Sequence, residues 1–201
     1  MSKSRPRYII MRHDEDSTAR RLLIQLARLG DLVQSLPVFA SLAARYPHRS
    51  LDLLCPAPLV DLARLFPGAG HVLQWNGAQW HTWAESFVGK FQLSWLCEVD
   101  RYLAGLTTEP YKVAYVLNHH PRAILAGTLL AKEVHGPNLR GPLDEELSPW
   151  ASYLRHVAQT RGSNRIHLSD TFCGLCGVPP PPAPPVLILP SNDLPGDLAE
   201  V

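Results

Sequence analysis

The hydrophobic and polar positions of this chain follow two periods in turn, and this alternation predicts the order of its elements. Short apolar runs typical of buried parallel strands occur at 21–26, 50–55, 71–75, 112–117 and, more briefly, 133–135. Apolar residues at helical spacing predict helices at 32–46, 57–66, 80–106, 122–131, 149–160 and 167–175. Strands that alternate with helices imply βαβ units. We therefore predict an α/β fold with a Rossmann-like, doubly wound parallel sheet.

The same pattern divides the chain into three segments. Residues 1–20 are polar and charged, and we interpret them as an N-terminal extension. Residues 21–178 carry the alternating strands and helices of one domain. Residues 179–201 open with the run PPPPAPP, which is typical of a stiff, extended linker, and contain an apolar run at 186–189 that predicts another short strand.

Composition narrows the class of protein. The chain has 201 residues, of which 46% are hydrophobic and 18% charged, as in ordinary globular proteins. Its formal net charge of +1 gives no reason to expect nucleic acid as a partner. Four cysteines are too few to suggest a disulfide framework, and no apolar run approaches the roughly 20 residues of a membrane-spanning helix. We expect a cytoplasmic protein.

The turn Leu29-Gly30-Asp31 is the strongest candidate for chemistry. It follows the first strand, and ligands of open α/β sheets bind at the carboxyl ends of strands. Asp31 is either a base for proton chemistry or the N-cap of a helix that begins at Leu32. Gly30 meets a backbone requirement, either close approach to a ligand or a positive φ. Arg28 either binds an anionic group or is a solvated loop arginine.

A second polar cluster, Asn118, His119, His120 and Arg122, follows the fourth strand on the same predicted edge of the sheet. Arg122 is suited to anionic groups, whereas the two histidines and Asn118 are suited to hydroxyls. The alternative is that these residues only cap the helix that follows.

Two short motifs have the spacing of metal sites, but their surroundings favour other interpretations. Asp14-Glu15-Asp16 lies in the polar extension, and we interpret it as a solvated charge run. Cys173 and Cys176 have no second pair at zinc-site spacing and lie on an apolar helix face, so we expect buried thiols. We predict no metal site.

Four segments together resemble a known family. RLLIQLARLGDLVQSLPVFASLAARYPHRSLDLLC, VAYVLNHHPRAILAGTLLAKEVHGP, NRIHLSDTFCGLCGV and the proline run are similar to the N-terminal half of the ADP-heptose:lipopolysaccharide heptosyltransferases, glycosyltransferase family 9. The resemblance extends over about residues 21–189. It implies a GT-B arrangement of two Rossmann-like domains, in which this chain supplies the acceptor-side domain and the linker leads to an absent nucleotide-sugar domain.

The resemblance also implies a function. Asp31 would be the base of an inverting glycosyltransferase, with Arg28, Gly30 and residues 118–122 binding the acceptor. The donor, ADP-heptose by the same resemblance, would bind the absent domain, so this chain alone would be inactive. The implied partners are a nucleotide sugar and a lipid-linked or oligosaccharide acceptor of lipopolysaccharide synthesis, and no cofactor is implied.

Three other interpretations remain open from the sequence. The aromatic residues of 80–95 form part of the core or contact the inner membrane peripherally. The basic residues of the first 12 positions are a solvated tail or touch anionic lipids. The main alternative function is a non-catalytic Rossmann-like module that binds a glycan or another protein; a nucleotide-dependent oxidoreductase is disfavoured because the first turn lacks G-x-G-x-x-G.

Overall fold

A five-stranded, all-parallel sheet forms the centre of the molecule. The computed structural model describes residues 19–47, 51–79, 93–139, 145–146, 148–160, 162 and 164–187. The strands are β1 (Arg21–Ile24), β2 (Leu51–Pro56), β3 (Ala69–Trp75), β4 (Tyr111–Val116) and β5 (Ala131–His135). They lie in the order β3-β2-β1-β4-β5, and each neighbouring pair is parallel. The predicted α/β class and doubly wound sheet are confirmed.

Helices connect and cover the strands. They are α1 (Leu29–Gln34), α2 (Leu36–Arg45), α3 (Val60–Arg64), α4 (Leu93–Leu106), α5 (Pro121–Leu130), α6 (Pro149–Gln159) and α7 (Leu168–Leu175). A 3₁₀ turn at Ala57–Leu59 precedes α3. A short antiparallel pair, β6 (Asn138–Leu139) and β7 (Glu145–Glu146), was not predicted. Of the predicted helix 80–106, residues 80–92 lie outside the described residues.

The core has one layer on each face of the sheet, because side chains of a strand alternate between faces. In β1, Leu23 packs in the layer that contains Phe39 and Phe172, whereas Leu22 and Ile24 pack in the layer beneath α4 and α5. All four residues of β1 are buried. This strand is therefore covered on both faces and paired on both edges, as the continuous apolar run predicted.

The predicted helix 32–46 is two helices in the structure. α1 ends and α2 begins on either side of Ser35, whose buried hydroxyl donates a 2.6 Å hydrogen bond to the carbonyl of Leu32. Pro37 occupies the first turn of α2, where its missing N–H costs no helical hydrogen bond. The continuous helix predicted at 32–46 is therefore interrupted at Ser35, close to Pro37.

A buried carboxylate joins three strands at the amino end of the sheet. Asp52 in β2 accepts hydrogen bonds from the Tyr111 hydroxyl at 2.7 Å and from the His71 main-chain N–H at 2.8 Å. Arg20 adds an ion pair at 3.3 Å, and its guanidinium lies 4.4 Å from the centre of the Tyr111 ring. Burial and hydrogen bonding to Asp52 raise the pKa of Tyr111, which keeps this phenol a donor. The cluster is satisfied within the domain and stabilises the fold.

The start of the proline-rich segment is attached to α2. Arg45 donates to the carbonyl of Gly177 at 3.2 Å, and the Ser41 hydroxyl donates to the carbonyl of Pro179 at 2.8 Å. Leu187 packs against the core layer of α2 and α7. Residues 186 and 187 are not in a strand, so this part of the predicted strand 186–189 is wrong, and residues 188 and 189 lie outside the described residues.

Gly136 ends β5 in a conformation that requires glycine. Its φ is +101°, and a Cβ added there would lie 2.2 Å from the main-chain oxygen of Val116. We expect Gly136→Ala to lower the free energy of unfolding by about 2–4 kcal/mol, because it adds both backbone strain and a steric clash with backbone. Urea denaturation measures this loss. Gly105→Ala is the matched control, since no atom lies within 4 Å of its added Cβ; equal losses in both variants would contradict the assignment.

Candidate functional site

Two loops meet at the carboxyl edge of the sheet, where β1 and β4 lie side by side. From β1 the chain continues to β2 and β3 on one side, and β4 and β5 lie on the other side. The order of strands therefore reverses between β1 and β4. Ligands of open α/β sheets bind outside such a reversal, in the crevice between the diverging loops. The two polar clusters predicted from the sequence both lie at this edge.

Gln25 joins the two loops beneath this edge. It directly follows β1 and is fully buried. Its side-chain Nε2 donates to the main-chain oxygen of Asp31 at 3.3 Å, and its Oε1 accepts from the Ala27 N–H at 3.3 Å and from Nδ2 of Asn118. No role for Gln25 was predicted from the sequence. One signal was present, because Gln25 interrupts the apolar run 21–26 with a polar residue.

The side chain of Asn118 takes part in the same hydrogen-bond network. Its Oδ1 accepts from the main-chain N–H of Leu26, while its Nδ2 donates to Gln25. The side chain is half-buried, and its carboxamide faces the β1 loop. The predicted role in binding a ligand hydroxyl stays a prediction, with at most one N–H left for it.

Asp31 lies in the first turn of α1 and is half-buried. The helix begins at Leu29 with Arg28 as its N-cap, so Asp31 is not the N-cap of a helix from Leu32. Its Oδ2 accepts a 3.2 Å hydrogen bond from the main-chain N–H of Arg28, the contact that an acidic residue makes in the third helical position. This bond orients the carboxylate and leaves Oδ1 without a hydrogen bond among the described residues.

Gly30 and Arg28 border the carboxylate on the solvent side, and both are exposed. Gly30 does not have a positive φ, so that part of its predicted role is wrong. A Cβ added to Gly30 would meet no atom within 4 Å. What remains is an open surface beside Asp31 that a ligand can approach closely. Arg28 is without an ion pair in the part of the chain that the structure describes.

The second loop is organised by the start of α5. His120 is the N-cap: its Nδ1 accepts from the N–H of Arg122 at 3.2 Å, and Pro121 follows as the first helical residue. His119 is half-buried between β4 and this cap. The capping alternative therefore holds for His120, whose ring nitrogen serves the helix.

Arg122 extends from α5 across the edge toward the loop after β3. Its Nη1 lies 3.8 Å from the position of a Cβ added to Gly77. The side chain is half-buried, and no ion pair to it is present among the described residues. Among the described residues, Arg122 and Arg28 are cationic groups at this edge and Asp31 is a carboxylate there, a set that suits a ligand with both anionic groups and hydroxyls.

A cavity of about 600 Å³ lies at the opposite, amino end of the sheet. Its cationic side chains already have carboxylate partners, because Arg20 pairs with Asp52 at 3.3 Å and Arg64 pairs with Asp61 at 2.9 Å. The exposed ring of His71 also lies 3.5 Å from Asp52. The cationic groups of this cavity are thus balanced by carboxylates, so the carboxyl edge is the better candidate site.

The two cysteines at metal-site spacing form no metal site in the described residues. Cys173 and Cys176 are buried in the core, as predicted. Burial and, secondarily, the neighbouring Asp170 raise the pKa of Cys173 to about 12, which keeps the thiol protonated and unreactive. Asp14-Glu15-Asp16 lies outside the described residues, and the described part contains no cluster of three metal-binding side chains. In the same part, every helix is too short or too polar to cross a membrane.

The cap at His120 predicts a pH dependence of stability. Burial, and then the charge of Arg122, lower the pKa of His120. The folded protein therefore holds this proton less well than the unfolded chain, and the stability contributed by the neutral cap is full above about pH 6.5 and declines below it. His120→Asn keeps an N-cap acceptor that does not titrate. We expect the wild-type protein to lose about 1 °C more in Tm than this variant between pH 7.5 and 5.

Thermal unfolding followed by circular dichroism at the two pH values tests this expectation. His156→Asn is the control, because His156 lies exposed near the end of α6 and is not an N-cap. Parallel Tm losses in wild type and His120→Asn would contradict the role of His120 as a titrating cap.

Comparison with solved structures places the fold beside a glycosyltransferase. E. coli heptosyltransferase WaaC with ADP-2-deoxy-2-fluoro heptose matches with a TM-score of 0.56 and 15% sequence identity, over 83% of this chain and 51% of that chain. WaaC with ADP matches with a TM-score of 0.55 and 15% identity, over 83% of this chain and 50% of that chain. A scan against family models and a search of curated proteins found no match.

The chain spans about half the length of these solved structures. At such low identity the likeness concerns the fold alone. It confirms the predicted resemblance to the heptosyltransferases at that level: the α/β fold of this chain is similar to that of about half of WaaC.

Proposed function

We propose that this chain is the acceptor-binding half of an inverting glycosyltransferase, with Asp31 as the general base. The observation that carries the proposal is the position of Asp31, at the strand-order reversal of a sheet whose fold matches half of WaaC. A carboxylate there, held by one hydrogen bond and open on its other oxygen, has the geometry that proton abstraction needs.

The proposed reaction is a single displacement. Oδ1 of Asp31 accepts the proton of an acceptor hydroxyl as the oxygen of that hydroxyl attacks the anomeric carbon of the donor. The new carbon–oxygen bond forms on the face opposite the bond to the diphosphate, which breaks and releases a nucleoside diphosphate. The configuration at the anomeric carbon is inverted as a consequence.

The two arginines of the carboxyl edge suggest the character of the acceptor. Arg28 and Arg122 are suited to phosphate or carboxylate groups, and His119 and the remaining N–H of Asn118 are suited to hydroxyls. An anionic sugar of the lipopolysaccharide core combines these features, and we propose it as the acceptor class. Synthesis of such a glycan would place the protein in the cytoplasm or at the inner face of the membrane.

The donor is proposed from the solved structures, because WaaC was observed with ADP and with an analogue of ADP-heptose. We propose a nucleotide sugar of this kind, bound by a second domain that lies outside these 201 residues. The purified chain is then expected to transfer no sugar when incubated with ADP-heptose and heptose-deficient lipopolysaccharide, because nothing stabilises the leaving diphosphate. Mass spectrometry of the acceptor detects transfer, and clear transfer by this chain alone would refute the division of roles.

Acceptor binding by the chain tests the site directly. In an NMR titration with deacylated, heptose-deficient lipopolysaccharide, we expect shifts at the amides of 26–31 and 118–122 and none around the amino-end cavity. Arg122→Gln should weaken binding about tenfold, since it removes a charge-assisted contact. Arg64→Gln is the control, because Arg64 is an exposed arginine at the other end of the sheet. Shifts confined to the amino end, or equal losses in both variants, would contradict the site.

A further inference from the structure

We propose that Gln25 and Asn118 are positioning residues that hold the Asp31 turn and the 117–120 loop together as one preformed unit. The role of Asp31 as a base is part of the proposed function, and this inference rests on that function wherever it treats Asp31 as a base. The mechanical coupling of the two loops stands on the hydrogen bonds alone. Neither the strand pattern nor the fold comparison assigns a role to Gln25.

The coupling begins where the main-chain pairing of β1 with β4 ends. The last main-chain bond between them runs from the N–H of Leu117 to the oxygen of Ile24 at 3.0 Å. Beyond it, the side-chain Oδ1 of Asn118 accepts from the N–H of Leu26. The carboxamide therefore takes the place of a strand carbonyl, and the two chains stay bound after they have left the sheet.

Gln25 carries the connection from this point to the turn. Its Oε1 receives both the Nδ2–H of Asn118 and the N–H of Ala27, and its Nε2 donates to the main-chain oxygen of Asp31. That oxygen also accepts the helical N–H of Ser35 at 3.1 Å. One buried amide thus contacts the second loop, the start of the turn and the first turn of α1.

A polar residue at position 25 is informative because burying a polar side chain lowers the stability of the fold. Gln25 is 0% exposed and follows four buried strand residues. Burying an amide costs free energy unless each of its groups is paired, and an apolar residue would avoid that cost. With two bonds accepted at Oε1 and one donated from Nε2, the amide favours instead a single geometry, since these bonds form together in only one arrangement of the two loops. The position of Asp31 relative to the 117–120 loop is thereby specified.

Amide hydrogen exchange in the 201-residue chain, measured by NMR, separates this role from a general effect on stability. Gln25→Met removes every side-chain hydrogen bond of residue 25 at similar side-chain length and keeps its main-chain bond to Leu54. Asn118→Asp keeps the acceptor for Leu26 but loses the donor to Gln25, whereas Asn118→Leu loses both. Tyr111→Phe is the matched control, because it removes a buried hydrogen bond at the amino end.

We expect Gln25→Met to speed exchange at Ala27 about tenfold relative to the Tyr111→Phe control. Asn118→Leu should do the same at Leu26, whereas Asn118→Asp should leave Leu26 protected. The double variant Gln25→Met/Asn118→Leu should show less than the product of the single effects, because the two share one bond. Exchange unchanged in both loops, or raised uniformly through the sheet, would overturn the proposal.

Titration with deacylated, heptose-deficient lipopolysaccharide adds a readout that a purely structural role would not move. Gln25 is buried and has no surface for a ligand, yet Gln25→Met should weaken binding about fivefold while Tyr111→Phe leaves it unchanged. Wild-type affinity in Gln25→Met would reject positioning while the proposed function survives. Failure of the wild-type chain to bind, with the exchange pattern as expected, would reject the proposed acceptor and leave the coupling of the loops supported.

Discussion

The burial of β1 in the middle of the sheet is the constraint on which the rest of the structure depends. This strand is paired with β2 and β4 and covered by apolar side chains on both faces. The position of its carboxyl end is therefore set by strand pairing and core packing, without any contribution from loop residues. The turn that carries Asp31 begins only a few residues later, so its position follows from the packing of an apolar strand.

The two ends of the sheet use charge differently. At the amino end, Asp52 is surrounded by Arg20, Tyr111 and the N–H of His71, and these groups satisfy one another. At the carboxyl edge, the buried connection is made by neutral amides, whereas Arg28 is exposed and Asp31 keeps one carboxylate oxygen without a hydrogen bond among the described residues. Internal pairing stabilises a fold, whereas outward-facing charge beside a crevice is available to a ligand. The sheet thus has one end whose charges are paired internally and another end that carries the proposed site.

Much of the fold was predictable because it depends on patterns that are local in sequence. Apolar runs identified the five strands of the sheet, because each run is a local stretch of sequence. The position of the break at Ser35 does not follow from the helical period, which continues through 32–46; it coincides with Pro37, which lacks an N–H, and with the side-chain bond of Ser35 to Leu32. Gln25 was missed for a similar reason: its partners, Asp31 and Asn118, are 6 and 93 residues away, and sequence spacing does not show which side chains meet.

The break at Ser35 also separates two helices that make different contacts. α2 holds the proline-rich segment through Ser41 and Arg45, whereas α1 holds the carboxylate of Asp31. Ser35 links the two helices through its main chain, because its N–H donates to the oxygen of Asp31 at 3.1 Å and its oxygen accepts from the N–H of Phe39 at 3.0 Å. The helix that holds the proline-rich segment and the helix that carries Asp31 therefore meet at one buried serine.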